Sequence, residues 1–259
     1  MCIRDSGTSL DVDGKVLDGP AVVHFLVPGT CGTFEDYAKE VFLPYVVKEL
    51  DTVSRIDIVW DVYKSDSLKN ATREKRGCGT RRRVSTSTRI PGNWPGFLRN
   101  NENKRELFRF LAQKCVDYET EGDKTIYSTV GDQVVCSSRG TITSVLAPCS
   151  REEADSRIFV QVKDMAQQGH AKVMIRTVDT DVVVIAVAKF LQIGLEELWV
   201  AFGTGRNYRH IAVHQIVSSI GPDKSQALAF FHVFTDCDTG VILLKPWEEV
   251  CLAGMAGIS

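Results

Sequence analysis

Several short apolar runs in this chain end in an acidic residue. Lys15-Val16-Leu17-Asp18 is the first, and Ile56-Asp57-Ile58-Val59-Trp60-Asp61 the second. The third runs from Val173 to Val178 and closes on Asp179-Thr180-Asp181; the fourth, Phe230 to Phe234, closes on Thr235-Asp236-Cys237-Asp238. An apolar run of this length enters a sheet or a core, and a carboxylate at its end sits where the chain leaves it. In an open α/β sheet the carboxyl ends of the strands are where ligands bind. Carboxylates gathered there repel one another unless a cation sits among them. The pattern points to a divalent-metal site, and hard oxygen ligands favour Mg²⁺ or Mn²⁺.

Strands are expected at Lys15–Asp18, Arg55–Trp60, Gly131–Cys136, Ile142–Leu146, Lys172–Val178 and Leu198–Phe202, from β-branched content and length. Phe34, Tyr37, Ala38, Val41, Phe42 and Tyr45 recur at helical spacing over Phe34–Leu50, where Pro44 predicts a kink or an early break. Ser67–Arg76 is rich in helix formers and stops at Gly77 and Gly79, and Lys104–Lys114 is amphipathic. Ser150-Arg151-Glu152-Glu153 has capping-box spacing and opens a helix through about Gln168. Ala212–Ile220 and Asp223–Val233 are helical on either side of Gly221-Pro222. Strands alternating with helices predict an α/β fold with a mainly parallel central sheet flanked by helices. Residues 1–14 are expected to be irregular, 15–240 to form one domain with a basic, mobile loop at about 77–100, and 241–259 to be a tail, that of either a truncated or a diverged chain.

Composition changes this picture in two places. No apolar run reaches 18 residues, so no membrane span is expected, and Met1–Ser6 lacks the apolar core of a secretion signal. The eight cysteines are scattered without a C-x-x-C pair, which in a chain this long reads as free thiols in a reducing, intracellular compartment. The formal net charge is -2, yet Lys64–Arg109 holds thirteen basic residues against four acidic ones. A local excess of nine positive charges suggests contact with a polyanion, although a solvated loop or a localisation signal has the same composition.

Each carboxylate has an ordinary explanation. Asp179-x-Asp181 in an extended segment places both side chains on one face, where they share a metal or simply cap a turn. Glu153-x-Asp155 opens a helix, and acidic residues there complement the helix dipole. Asp18 and Asp61 are common turn residues, and either Asp236 or Asp238 is the functional member of its pair. Independent turn residues need not, however, fall at the ends of four apolar runs and the start of one helix.

The order of these elements resembles the PIN-like nucleases of the flap endonuclease/XPG class, including their Asteroid-like, in part mobile-element-derived, relatives. Val59-Trp60-Asp61 followed by Ser67-Leu68-Lys69 and Arg73-Glu74-Lys75-Arg76 looks like that family's strand, metal-binding Asp and basic helix. Arg151-Glu152-Glu153-Ala154-Asp155 looks like its Glu-Ala-Glu element, Val178–Asp181 like its Asp-x-Asp element, and Gln226–Asp238 like its helix leading into Gly-x-Asp. The resemblance implies a 5′-nuclease-like fold and a two-metal Mg²⁺ or Mn²⁺ site held by Asp18, Asp61, Glu153, Asp155, Asp179, Asp181 and Asp238. It implies catalytic roles at the scissile phosphate for Lys69 and Arg76, which lie seven apart on one helix face. Nucleic-acid contacts would come from His24, Arg73, Arg81, Arg82 and Arg83, with the Thr80–Gly96 segment arching over the substrate. Trp94 is expected to be buried against the following helix rather than stacked on a base.

The implied activity is metal-dependent hydrolysis of phosphodiester bonds in DNA or RNA flaps or ends, in an intracellular and nuclear protein. The alternative is a catalytically inactive PIN-like nucleic-acid-binding module, favoured by Asp236 where the family has a small Gly and by the 21 residues after Asp238, too few for a helical hairpin. A phosphatase with an aspartyl nucleophile would want its Asp-x-Asp at the first strand, not at Asp179. Gly203-Thr204-Gly205-Arg206-Asn207 lacks the Gly-Lys-Ser/Thr ending of a phosphate loop and reads as a turn. His210 and His214 are expected to share a helix face as structural residues.

Overall fold

A computed structural model describes residues 2–4, 10–62, 79–138, 146–147 and 154–235, with the backbone alone at 2–4 and 229–235. Its strands are β1 (Cys2–Arg4), β2 (Gly14–Asp18), β3 (Arg55–Val59), β4 (Thr125–Val130), β5 (Gln133–Cys136), β6 (Lys172–Thr177), β7 (Glu197–Phe202) and β8 (Arg209–Ala212). Its helices are α1 (Gly19–Phe25), α2 (Phe34–Asp36), α3 (Leu43–Leu50), α4 (Trp94–Leu98), α5 (Asn101–Val116), α6 (Ala154–Gln167), α7 (Thr180–Ile193), α8 (Val213–Ile220) and α9 (Pro222–Thr235). The strands form one sheet in the order β1-β8-β7-β6-β2-β3-β4-β5. Its middle, β7-β6-β2-β3-β4, is parallel, and antiparallel strands close both edges. The expected α/β architecture with a mainly parallel sheet is therefore present.

Alternation along the strands builds two cores. Leu17, Ile56, Ile58, Met174 and Trp199 face a layer made by α1–α5, where they meet Phe42, Leu107, Phe108 and Leu111. Val16, Val59, Val173, Ile175, Leu198 and Val200 face α6, α7 and α8, meeting Ile158, Val162, Val183 and Val187. The central strands are covered on both faces, which is why they carry few exposed positions. The sheet also buries an ion network. Arg55 Nε and Nη2 bond both Asp57 oxygens at 2.7 Å, and Nη1 lies 2.7 Å from Asp164 Oδ2 on α6. The Arg55 guanidinium also lies 4.1 Å from the Tyr127 ring centroid.

Several expectations need correction. Segment 1–14, expected to be irregular, contributes edge strand β1 at Cys2–Arg4, paired with β8. Pro44 does not break its helix. A π-helical stretch, Tyr37–Phe42, widens the turn ahead of it, and Pro44 then sits in the first turn of α3, where no N–H is needed. Helix α1 begins directly after Asp18, at Gly19-Pro20; a Cβ on Gly19 would meet the Trp60 ring at 2.3 Å. His210 lies on β8 and His214 on α8, so they share no helix face. The fourth apolar run lies in helix α9, in keeping with the helical reading of Asp223–Val233. Strand β4 went unrecognised because Ser128 and Thr129 are polar. Both are buried, and they accept hydrogen bonds from the Trp60 indole and backbone N–H at 3.0 and 2.8 Å. Strand β8 and helix α7 also escaped the pattern reading; α7 carries a β-branched run whose period does not separate helix from strand.

Several hydrogen bonds tie the described part of the basic loop, from Gly79 on, to neighbouring elements. Thr88 O accepts from Phe34 N–H, Gly32 O accepts from Ile90 N–H, and Arg89 bridges to Thr33. Buried Asn103 on α5 accepts from Arg82 N–H at 2.9 Å and donates to the carbonyls of Thr80 and Phe97 at 2.9 and 3.0 Å. Asn103→Ala strands these backbone groups. It is expected to lower stability by about 1–3 kcal/mol in urea unfolding and to speed amide exchange across 80–90. Unchanged exchange there would show that the strand-like bonds to Gly32 and Phe34 suffice.

Candidate metal centre

Three adjacent parallel strands, β6, β2 and β3, deliver the chain to the same edge of the sheet. From β2 the chain winds outward through β3 to β4, and from β6 it winds the other way through β7. The β2/β6 boundary is thus the topological switch point, where open α/β sheets leave a crevice. Asp18 is the last residue of β2, Asp179 follows β6 by two residues, and Asp61 follows β3 by two.

Each of these carboxylates meets the start of a helix. Asp18 Oδ1 accepts from Ala21 N–H at 3.1 Å as the N-cap of α1. Asp179 Oδ1 accepts from Asp181 N–H at 2.9 Å as the N-cap of α7. Asp61 Oδ1 accepts from Ala154 N–H at 3.0 Å at the start of α6. The last bond places Asp61 one residue from Asp155, while the α7 cap places Asp181 inside the first turn of that helix. Asp179-x-Asp181 is therefore a cap and a first-turn residue, not two positions of an extended segment. It still converges: carboxylate oxygens of Asp155, Asp179 and Asp181 all lie within 4.8 Å of one another.

Thr177 joins the two sides of the switch point. Its hydroxyl donates to Asp18 Oδ2 at 2.6 Å and accepts from Asp179 N–H at 3.1 Å. Nothing in the sequence singled it out except its place two residues before Asp179. Burial pushes the Asp18 carboxyl up to about 6; negative charge on Asp61 and Asp179 adds to the rise, and the bonds from Thr177 and Ala21 oppose it. His24, exposed in the last turn of α1, is held below its ordinary range by partial burial and by Lys104, against the pull of Asp61.

Asp18, Asp61, Asp155, Asp179 and Asp181 thus gather at one crevice. Glu153 and Asp238 lie outside the described residues, as do Lys69, Arg73 and Arg76. All three consecutive arginines are exposed; Arg81 pairs with Glu106 and Asn103 on α5. Arg82 donates to Arg89 O at 3.2 Å, and Arg83 is exposed. Trp94 is buried, as expected, donating to Val23 O and stacked on Phe97. The Gly203–Asn207 segment is a turn with a single 3₁₀ element at Gly205–Asn207. Cys31, Cys115 and Cys136 are free thiols, and no helix among the described residues is long and apolar enough to cross a membrane.

The oxygen-only donor set of Asp155, Asp179 and Asp181 fits a hard divalent cation, whose ligand oxygens stand about 3–4 Å apart around it. In comparisons with known proteins, no family model matches the chain and no curated protein matches it significantly.

Asp18 binds a proton more tightly in the folded chain than in the unfolded one, whose value is 3.8. The stabilisation this gives is complete below the unfolded value and is lost as pH rises through about 6. The shift corresponds to about 3 kcal/mol. Asp18→Asn stays neutral and keeps an oxygen for Ala21. In metal-free buffer it is expected to be about 1–3 kcal/mol more stable than the parent near neutral pH, with the gap closing toward about pH 4. Urea unfolding across that range checks this; a variant no more stable than the parent at neutral pH refutes it.

Proposed function

We propose that the chain is a divalent-metal-dependent nuclease that hydrolyses phosphodiester bonds in DNA or RNA flaps or ends, in the manner of the flap endonuclease/XPG class it resembles. The observation that carries this reading is the convergence of Asp155, Asp179 and Asp181 with Asp18 and Asp61 at the switch point of a parallel sheet. Four chain segments far apart in sequence supply these five carboxylates. A structural cap needs only one.

In this reading Asp155, Asp179 and Asp181 hold Mg²⁺ or Mn²⁺ through their converging carboxylate oxygens. Asp18 and Asp61 supply further negative charge beside them. When bound, the metal lowers the pKa of a coordinated water and neutralises charge on the scissile phosphate. Thr177 fixes the Asp18 carboxylate and the Asp179 backbone relative to each other, so that the two sides of the crevice keep one spacing. Glu153 and Asp238 complete the ligand set in the resemblance, and Lys69 and Arg76 neutralise the phosphate from their basic helix. A nucleic-acid substrate also accounts for the positive charge concentrated between Lys64 and Arg109, and a nuclear location goes with such a substrate.

A second reading has one observation in its favour. Both Asp18 oxygens are already engaged, and Asp61 and Asp179 each spend an oxygen on a helix amide. A PIN-like module that binds nucleic acid without cutting it retains all of those bonds. The two readings separate on cleavage of a labelled 5′-flap DNA and a matching single strand with Mg²⁺, Mn²⁺ or EDTA. Metal-dependent cutting by the parent, falling by at least about a hundredfold in Asp179→Ala/Asp181→Ala, is the expected result. Salt-sensitive binding with no cutting under any metal selects the non-catalytic module.

A further inference from the structure

Next to the acidic crevice lies a second feature that metal binding does not use. A cavity of about 220 Å³ opens between α5 and the carboxyl ends of β3 and β4. Trp60 and Phe108 form its floor, stacked on each other with ring centroids 4.6 Å apart and both buried. Gly131, in the turn after β4, and Arg105 and Arg109 on α5 also line it. Asp61 is on its rim, so the cavity shares a wall with the carboxylate cluster.

Topology explains why two cations stand at this edge. Helix α5 leads into β4, which runs parallel to β3, so the helix starts at the carboxyl edge and descends toward the amino edge. Arg105 and Arg109 lie in its second and third turns, one turn apart on one face. Both are exposed. Arg105 pairs with Glu102 at 3.0 Å, an exposed i,i+3 contact of the kind that exchanges readily for a stronger anion. The planar donor forks of two arginines above an aromatic floor match a phosphate carried on a nucleoside better than they match a carboxylate side chain or a small apolar ligand.

We infer that this cavity is a phosphate subsite for a nucleic-acid strand whose neighbouring phosphodiester lies at the carboxylate cluster. Arg105 and Arg109 grip the phosphate, and the Trp60–Phe108 floor supports the attached sugar. The inference rests on the nucleic-acid reading above but not on catalysis. It gives that reading a direction: the strand passes from the cluster, over Asp61, toward α5.

Binding of a short, fluorescently labelled single-stranded oligonucleotide in EDTA, titrated with KCl, tests it without cleavage. Arg105→Gln/Arg109→Gln is compared with Lys163→Gln/Lys189→Gln, which removes the same charge from exposed positions on α6 and α7. The pocket variant is expected to bind at least about tenfold more weakly and to flatten the log K against log salt slope by about 0.7 for one lost phosphate contact, while the control pair stays close to the parent. Arg105→Lys/Arg109→Lys keeps the slope and loses part of the affinity, because charge is retained and the fork is not. Mn²⁺-induced thermal stabilisation, read in parallel, stays at the parental value in the pocket variant and shows that it is folded. Equal weakening in the pocket and control pairs, or no weakening in either, overturns the subsite. A parent that binds through the pocket but never cuts defeats the nuclease reading and leaves the subsite standing; a parent that binds no oligonucleotide defeats both.

Discussion

Mutual repulsion among carboxylates is the constraint around which the rest of this structure is arranged. A β-α-β chain brings the ends of β6, β2 and β3 to one crevice, and this sequence places an aspartate at or just beyond each end. Helix N-termini offset part of the cost, since Asp18, Asp61 and Asp179 each accept a backbone N–H from the start of a helix. They do not offset all of it. Asp18 remains a weaker acid than usual, raised by its burial and by the charges of Asp61 and Asp179. A site whose carboxylate oxygens converge to within 4.8 Å of one another is suited to a cation.

The opposite end of the sheet shows how the crevice keeps its shape. Asp13, just before β2, accepts from the N–H groups of Ala171 and Lys172 at 2.7 and 2.8 Å, fixing β2 against β6 at their starts. Arg55 binds Asp57 in its own strand and Asp164 on α6, fixing β3 against the helix that carries Asp155. Removing one partner from such a buried network leaves an uncompensated charge, so these groups hold spacing rather than add net stability. With the amino ends clamped, the positions of Asp18, Asp61, Asp155 and Asp179 follow from strand length and helix start. Thr177 then ties Asp18 to the Asp179 backbone directly.

Strand-end aspartates were legible in the sequence because both of their roles, capping and ligation, demand the same residue at the same place. The alternation of elements was legible for a similar reason: β2, β3, β6 and β7 are apolar enough to be buried on both faces. Other features depended on partners distant in the chain. Ser128 and Thr129 read as polar surface until Trp60 supplies their hydrogen bonds. Helix α7 reads as a strand through Val182-Val183-Val184-Ile185. What decides otherwise is the Asp179 cap and Gly194 at φ +90°, a residue-type pair 15 apart that the sequence does display. The geometry of Asp179-x-Asp181 depends on the same cap, since a helix start rather than an extended segment brings the two together. Arg81 stays exposed but is paired with Glu106 and Asn103 on α5, partners far from it in the chain.

The most direct test of this account is crystallography of the Mn²⁺-soaked protein at a wavelength that makes manganese scatter anomalously. The account predicts an anomalous peak within ligand distance of Asp155, Asp179 and Asp181, with the Thr177–Asp18 bond intact. No peak at the crevice under saturating Mn²⁺, or a peak held only by residues elsewhere, would contradict it and leave the convergent aspartates as helix caps alone.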